Sequence, residues 1–275
     1  MKTWRNWVMS DARDFAPMVE GMLKCYESFT PEQNRAGSFV KLSSDYGKSW
    51  GEAIQMPISA PHGAVKTVSG RLLYLGRETQ GTFNRYDKNA DDSADPTPVE
   101  DRGIIFLYES FDDGKTWERL SRVKYPDDVT PDKFCEPHIV ELQNGELIAA
   151  IRVHDHPTVY DNYTVYFASS TDGGKSWSDM WKLGHYGSPP HLCLLKDGSV
   201  VVTYGRRTEP HGIRAVVSTD GCRTFSEEFI LWDSHCGDLG YPATVQLEDG
   251  SLVTVHYQRY ENDGRTSIVY TKWEI

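Results

Sequence analysis

The sequence lacks long apolar runs, a secretory signal, paired cysteine motifs and an excess of basic residues. No stretch of about 18 apolar residues occurs, so we expect no membrane span. Residues 1–30 contain no apolar signal core. The five cysteines are irregularly spaced and include no Cys-x-x-Cys pair, which favours free thiols in a reducing, cytoplasmic compartment. Asp and Glu number 40 against 29 Lys and Arg, and the net charge of −11 argues against nucleic-acid binding.

An octapeptide with the pattern Ser-x-Asp-x-Gly-x-x-Trp recurs along the chain, and we call it the Asp box. It occupies residues 43–50, 110–117 and 170–177, and a fourth copy at 218–225 has Cys222 for the glycine and Phe225 for the tryptophan. The Asp can accept backbone N–H bonds across a turn, and the Gly supplies a positive φ. The aromatic residue can bury its ring between sheets. We therefore expect the box aspartates to be structural.

A second repeat consists of an apolar strand, a two-residue turn and another apolar strand. The turns are Asn144-Gly145, Asp197-Gly198, Asp249-Gly250 and a looser Ser69-Gly70. Such dipeptides between β-rich runs indicate hairpins. Each hairpin and the box-bearing strands that follow it make one sheet, and sheets repeated radially form a β-propeller. The sequence predicts one all-β propeller domain over residues 1–275, with about four and a half to five blades and a long inserted loop at 79–103.

The hairpins place polar residues at one mouth of the predicted propeller. Residues equidistant from a turn face each other, so Glu136 falls opposite Arg152 or its neighbour, and His62 falls opposite Arg77. In the last hairpin, Tyr241 begins the first strand. In the third hairpin, the sequence favours Arg207 over Arg206 for the central channel. Arg77, Arg152 and Arg207 all lie an odd number of residues after their turn glycines, whereas Arg206 lies an even number after its own.

Three histidines, His62, His138 and His191, each follow a proline and begin inner strands. A ring of histidines can ligate a metal, act as an acid or base, or bind substrate and neighbouring loops. No further ligand spacing supports a metal. We expect no metal and no organic cofactor.

The Asp boxes, the Glu136…Arg152 pair, Arg207 and the segment from Asp238 to Pro242 together resemble the bacterial sialidase (neuraminidase) superfamily, over residues 40–275. The resemblance implies a six-bladed propeller and a glycoside hydrolase that removes terminal sialic acid from glycans. Sialic acid carries a carboxylate on its anomeric carbon, and this family uses Tyr in place of a carboxylate nucleophile. The resemblance makes Tyr241 the nucleophile and Glu136 its base partner.

The resemblance also implies a clamp on the substrate carboxylate. Arg152 and Arg207 are the expected clamp residues, since a guanidinium binds a carboxylate in bidentate fashion. Arg214 is a second candidate for the later clamp. Further substrate contacts are expected from Arg77, Asp238, His62, His138 and His191.

The sequence departs from the family's pattern near its N-terminus. A further clamp arginine and an Asp acid/base have no counterpart, and Asp11 and Asp14 are weak substitutes. These departures predict a truncated chain or a divergent propeller with fewer blades, whose open sheet edges favour self-association. Two alternatives stay open: a propeller glycosidase or lyase for another acidic sugar, and a non-catalytic glycan-binding propeller.

Overall fold

The computed structural model describes residues 38–78, 103–127, 129–154, 163–259 and 265–275, together with the helical residues Pro17, Glu20, Gly21 and Lys24. The chain divides into two compact units, Met1–Gly37 with Gly81–Pro96 and Ser38–Gln80 with Thr97–Ile275. All described strands belong to the second unit. Asp11, Asp14 and nearly all of the predicted loop at 79–103 lie outside the described residues. None of the described helical residues belongs to a helix long and apolar enough to cross a membrane.

The second unit is all-β, and its strands are numbered in chain order. The first seven are β1 Ser38–Val40, β2 Ile54–Met56, β3 Ile58–Ser59, β4 Val65–Lys66, β5 Leu72–Glu78, β6 Ile105–Ser110 and β7 Glu118–Arg122. The next four are β8 Phe134–Glu141, β9 Leu147–Val153, β10 Thr164–Ser170 and β11 Trp181–Lys182. The last seven are β12 Pro190–Leu194, β13 Val200–Arg206, β14 Gly212–Ser218, β15 Phe229–Asp233, β16 Leu239–Gln246, β17 Leu252–Arg259 and β18 Thr266–Trp273.

The strands form four antiparallel blade sheets and one small sheet. Blade 1 has the order β3-β5-β6-β7 with β4 also paired to β5, blade 2 is β8 to β11, blade 3 is β12 to β15, and blade 4 is β16 to β18. The small sheet pairs β1 with β2. Successive blades contact one another in series, through β5 and β8, β8 and β12, and β12 and β16, which is a propeller arrangement.

The predicted hairpins are present in all four blades. Their turn glycines, Gly70, Gly145, Gly198 and Gly250, have φ between 83° and 90°, which L-residues adopt only under strain. The strands on either side pair in antiparallel register. This part of the prediction is confirmed, because the Asn-Gly and Asp-Gly signals are local and depend little on the rest of the fold.

The Asp boxes are turns held by their own aspartates. Asp172 accepts the backbone N–H groups of Lys175 and Ser176, each at 3.0 Å, and the Ser176 hydroxyl at 2.6 Å. Hydrogen bonds of this kind hold the pKa of Asp172 well below its usual range. In the fourth box Cys222 takes the glycine's place with a φ of 63°. The aromatic position is less uniform than predicted, because Trp177 is buried whereas Trp50 is 59% exposed.

The core lies between successive blades. One cluster contains Leu75 of blade 1 and Phe134 of blade 2. A second contains Phe167 of blade 2 and Val202 of blade 3, and a third joins blades 3 and 4 in the same way. Apolar burial at each blade interface is therefore the main stabilising contribution to the stack.

The far face of blade 4 is apolar and exposed. Val245, Val255, Ile268 and Tyr270 are exposed by 55%, 41%, 75% and 71%. Val255 and Tyr270 are register partners, and Ile268 lies two residues before Tyr270, so these side chains share one face. An apolar patch of this kind is typical of an association surface.

Candidate active site

The candidate site begins where the inner strands of blades 2 and 4 start. Glu136 and Tyr241 each precede a proline, and each has a φ of 50°. Each lies where the strand register shifts, between Cys135 and His138 and between Gly240 and Ala243. A bulge inserts one residue and re-aims its side chain. A positive φ is uncommon for a non-glycine residue, and such strained conformations cluster at functional sites.

The two bulges bring Glu136 and Tyr241 into contact, although they are 105 residues apart in sequence. The Tyr241 hydroxyl donates a hydrogen bond of 2.5 Å to Glu136 Oε1. Burial and then the hydrogen bond and charge of Glu136 raise the pKa of Tyr241 to about 12. At neutral pH the phenol therefore keeps its proton and points it at a carboxylate that can accept it.

Arg152 completes the contacts of Glu136. Its Nη1 atom donates to Glu136 Oε2 at 2.6 Å, and the two side chains are only 15% and 21% exposed. Burial opposes the charge of Arg152, but the carboxylate outweighs it and the pKa of the guanidinium is raised. In the strand register Arg152 faces Cys135, and Glu136 reaches it from the bulge. The predicted proximity of Glu136 and Arg152 is thus present.

Arg207 approaches Tyr241 from blade 3. Its Cζ atom lies 6.0 Å from the centre of the Tyr241 ring. Its Nη1 donates to the Gly237 carbonyl at 3.3 Å, and its Nη2 donates to the Tyr257 hydroxyl at 3.2 Å. Arg206 instead donates to Glu228 at 2.8 Å. The structure therefore places Arg207 beside the tyrosine, as the parity argument predicts.

Asp238 belongs to the same group of contacts. Its Oδ1 accepts a hydrogen bond of 3.1 Å from the Tyr257 hydroxyl. The Tyr257 ring centre lies 6.0 Å from that of Tyr241. Tyr257 was not among the residues expected from the sequence, and it connects Asp238 to Arg207.

The three histidines form one cluster, in which His62 and His138 are buried and His191 is partly buried. The rings of His138 and His191 stack at 4.4 Å, and His62 lies 5.0 Å and 5.7 Å from them. His138 Nδ1 accepts the Leu192 N–H at 2.9 Å, and His191 Nδ1 accepts the Thr244 N–H at 3.3 Å. Two of the histidines therefore tie the inner strand of one blade to that of the next.

The electrostatics of this cluster favour neutral rings. Burial lowers the pKa of His62 to about 4 and that of His191 to about 3, and it lowers the pKa of His138 as well. Glu136 acts in the opposite sense on His62, which puts this histidine within electrostatic reach of the site. The buried Nε2 of His62 has no hydrogen-bond partner. Within the described ranges no group of three or more His, Cys, Asp or Glu residues has an arrangement that holds a metal ion.

Two expected substrate contacts point elsewhere. Arg77 pairs with Ser59 in the strand register, so the prediction that it faces His62 was wrong, because β3 and β4 are interrupted around that histidine. Its Nη2 donates to the carbonyls of Asp132 and Phe134, which anchors the start of β8.

Arg214 is 2% exposed and lies on β14, the third strand of blade 3. Its guanidinium donates to the Trp232 carbonyl at 2.6 Å and to Asp233 at 2.7 Å. These contacts hold it to β15, and the structure does not bring it to Tyr241. The expected substrate contact Arg77 and the second clamp candidate Arg214 are thus both held by backbone groups away from Tyr241.

A positional signal for Tyr257 is present in the sequence. Arg77, Arg152, Gly205 and Tyr257 are each the seventh residue after the turn glycine of their blade. A Cβ atom on Gly205 would lie 3.0 Å from the Gly240 Cα, so this position in blade 3 has no room for a side chain. A comparison of the four hairpins at the seventh residue after the turn glycine therefore points to Tyr257.

Comparison with known proteins identifies the family. Residues 21–255 match the BNR repeat-like domain, and the chain belongs to this family. The expectation of a propeller built from Asp-box (BNR) repeats is thereby confirmed. No curated protein matches the sequence.

Solved structures with the same fold include a protein of unknown function and two glycosidases. The first, from Dyadobacter fermentans DSM 18053, is 27% identical with a TM-score of 0.70, over 87% of this chain and 64% of that one. The GH93 α-L-arabinofuranosidase of Fusarium graminearum is 16% identical with a TM-score of 0.53, over 77% and 61%. The NanB sialidase of Streptococcus pneumoniae is 16% identical with a TM-score of 0.58, over 86% and 35%. The chain therefore spans less than two thirds of the length of each, and the two glycosidases indicate the fold alone.

Proposed function

We propose that this chain is a propeller glycosidase for an acidic sugar, and specifically an exo-α-sialidase that uses a Tyr/Glu nucleophile pair. The observation that carries the proposal is the 2.5 Å hydrogen bond from Tyr241 to Glu136, with Arg152 and Arg207 on either side. The structural neighbours of the chain include a sialidase, an α-L-arabinofuranosidase and an α-L-arabinanase, which supports a glycosidase. A propeller of six blades is part of the same proposal.

In the proposed reaction Glu136 accepts the Tyr241 proton while the phenolic oxygen attacks the anomeric carbon. The bond to the leaving group breaks, the departing alkoxide takes a proton from solvent, and a glycosyl-tyrosine forms. Water then attacks the same carbon and gives up one proton to solvent, while Tyr241 recovers its proton from Glu136 as it leaves. Because a phenol with a pKa of about 12 is a weak nucleophile, the adjacent carboxylate is essential to this scheme.

The clamp residues have distinct parts in this scheme. Arg207 holds the substrate carboxylate, since its guanidinium faces the tyrosine without a carboxylate of its own among the described residues. Arg152 is already paired with Glu136, so it chiefly fixes the base and adds positive potential. His62, with its unpartnered Nε2, is the proposed contact for a sugar hydroxyl.

A second candidate is a non-catalytic glycan-binding propeller, favoured because none of the described contacts of Tyr241 is with an Asp. Release of 4-methylumbelliferone from its α-sialoside separates the two. We expect turnover by the wild type, its loss in Tyr241→Phe, and wild-type rates in Tyr270→Phe, a matched change at an exposed position of blade 4. Sialoside binding without turnover in the wild type supports the binding propeller. Equal rates in wild type and Tyr241→Phe exclude the Tyr/Glu mechanism.

A further inference from the structure

Arg207 differs from the other arginines around it in having no direct carboxylate partner. Arg152, Arg206 and Arg214 pair with Glu136, Glu228 and Asp233 at 2.6, 2.8 and 2.7 Å. Among the described residues no carboxylate lies within 4.0 Å of the Arg207 guanidinium, and its Nε, like those of Arg152 and Arg206, is buried without a hydrogen-bond partner. Arg207 thus presents an uncompensated charge and an unused donor beside Tyr241.

Arg207 is linked to one carboxylate, that of Asp238, through a single hydroxyl group. Tyr257 accepts a hydrogen bond from Arg207 Nη2 at 3.2 Å and donates its own proton to Asp238 Oδ1 at 3.1 Å. The phenol therefore lies between the guanidinium and the carboxylate. Its oxygen accepts a hydrogen bond from Arg207, and its proton is donated to Asp238. Its backbone is held on both sides, because Tyr257 lies within β17 and pairs with both Gly240 and Ile268.

We propose that Tyr257 is a positioning residue that holds Arg207 available for the anionic group of the substrate and prevents Asp238 from pairing with it. This inference rests on the proposed function. A direct, bidentate Arg–carboxylate pair would satisfy the same donors that a substrate carboxylate needs. The substrate would then have to displace an internal competitor. With Tyr257 in place, Asp238 still orients the hydroxyl but leaves the face of Arg207 free.

The test measures recognition of the carboxylate separately from that of the sugar. Calorimetry gives Kd values for N-acetylneuraminate and for its uncharged methyl ester. The Kd of the ester divided by the Kd of the acid measures the preference for the anion. We expect Tyr257→Phe to reduce this ratio by about tenfold, the effect of losing one charge-assisted contact, through weaker binding of the acid alone. The double variant Tyr257→Phe with Asp238→Asn should recover most of the preference, because the competing charge is gone.

Rescue by the second substitution is the outcome that a merely structural tyrosine does not give. An unchanged ratio in Tyr257→Phe, or a double variant that binds more weakly than the single one, overturns the inference. In kinetic assays the single variant should raise KM for the sialoside more than it lowers kcat.

A readout without any sugar separates this inference from the proposed function. The NMR signal of the Arg207 Nε–H group should shift in Tyr257→Phe as the guanidinium pairs with Asp238, and should return towards the wild-type position in the double variant. If the wild type binds neither sugar, the proposed substrate is wrong, and the Arg207 signal still decides the role of Tyr257. No shift in Tyr257→Phe refutes that role.

Discussion

Replacing Glu136 by Gln tests whether the carboxylate controls the proton of Tyr241. The amide keeps the shape of the side chain but removes the charge that lies 2.5 Å from the Tyr241 hydroxyl. The pKa of Tyr241 is raised to about 12 by burial and by the hydrogen bond and charge of Glu136, while Arg152 and Arg207 act in the opposite direction. In Glu136→Gln, burial remains, the carboxylate's contribution disappears, and the arginines still favour the tyrosinate.

The expected change follows from this balance. A neighbouring charge at hydrogen-bond distance shifts a pKa by roughly 1 to 3 units, so the pKa of Tyr241 should fall by about 1 unit or more. The same substitution removes the proposed base, which should lower turnover of a sialoside by about 10² to 10⁴.

The assay is an ultraviolet difference titration of tyrosinate. Because the chain contains 15 tyrosines, the wild type and Glu136→Gln are each titrated against the same protein carrying Tyr241→Phe. A raised folded-state pKa makes the stability contribution of Tyr241 fully present below the ordinary phenol pKa of 10.0, and that contribution is lost as the pH rises through about 12. Circular dichroism must therefore confirm that the protein is folded at each point. An unchanged or higher pKa in Glu136→Gln refutes the account of the pair.

Three other changes test the histidine cluster, the Asp boxes and the exposed face of blade 4. Burial lowers the folded-state pKa of His62 from 6.5 to about 4, so the free energy of unfolding should decrease as the pH falls between these values. His62→Gln should reduce that decrease by roughly 3 kcal/mol, measured by urea unfolding at each pH. If the free energies of unfolding of the two proteins change in parallel with pH, the account of His62 is wrong. Asp172→Asn should lower Tm, since the amide nitrogen cannot accept the hydrogen bond of the Ser176 hydroxyl. The control Asp113→Asn should leave Tm unchanged, because the Asp113 carboxylate lies 3.8 Å from its exposed partner Lys66. We propose that the exposed face of blade 4 associates with a second copy, so Ile268→Ser with Tyr270→Ser should lower the mass measured by light scattering, and an unchanged mass removes this face from the interface.

Much of the fold could be predicted because its signals are local. A turn such as Asn144-Gly145 needs only two residues with the right backbone preferences, and a box such as that of Asp172 is closed by its own side chains. Because these motifs repeat along the chain, each copy predicts a similar sheet, and the repeated sheets together indicate a propeller. The exposed Trp50 shows the limit of this reasoning, because burial of the aromatic position depends on a neighbouring sheet that the octapeptide does not specify.

The site could be predicted only in part, because hairpin counting assumes regular strands. Hairpin counting places Glu136 and Tyr241 at the mouth of the propeller, but it does not predict the bulges through which they reach each other. The same assumption misplaced Arg77, whose strand partner changes where β3 and β4 are interrupted. Tyr257 was missed because its role arises from contacts with blade 3 and with the segment before β16, which no single hairpin contains.

The repeat also explains why Glu136 and Tyr241 can meet across the mouth. The residues nine positions before the four turn glycines are Pro61, Glu136, Pro189 and Tyr241. Blade 3 lies between the blades that carry the pair, and its equivalent residue is a buried proline with no hydrogen-bonding group in its side chain. Neither Glu136 nor Tyr241 therefore has a competing partner at the intervening position, and the long side chains span the gap to each other at 2.5 Å. The candidate site therefore arises where equivalent blades differ at one repeated position, which holds polar side chains in blades 2 and 4 and prolines in blades 1 and 3.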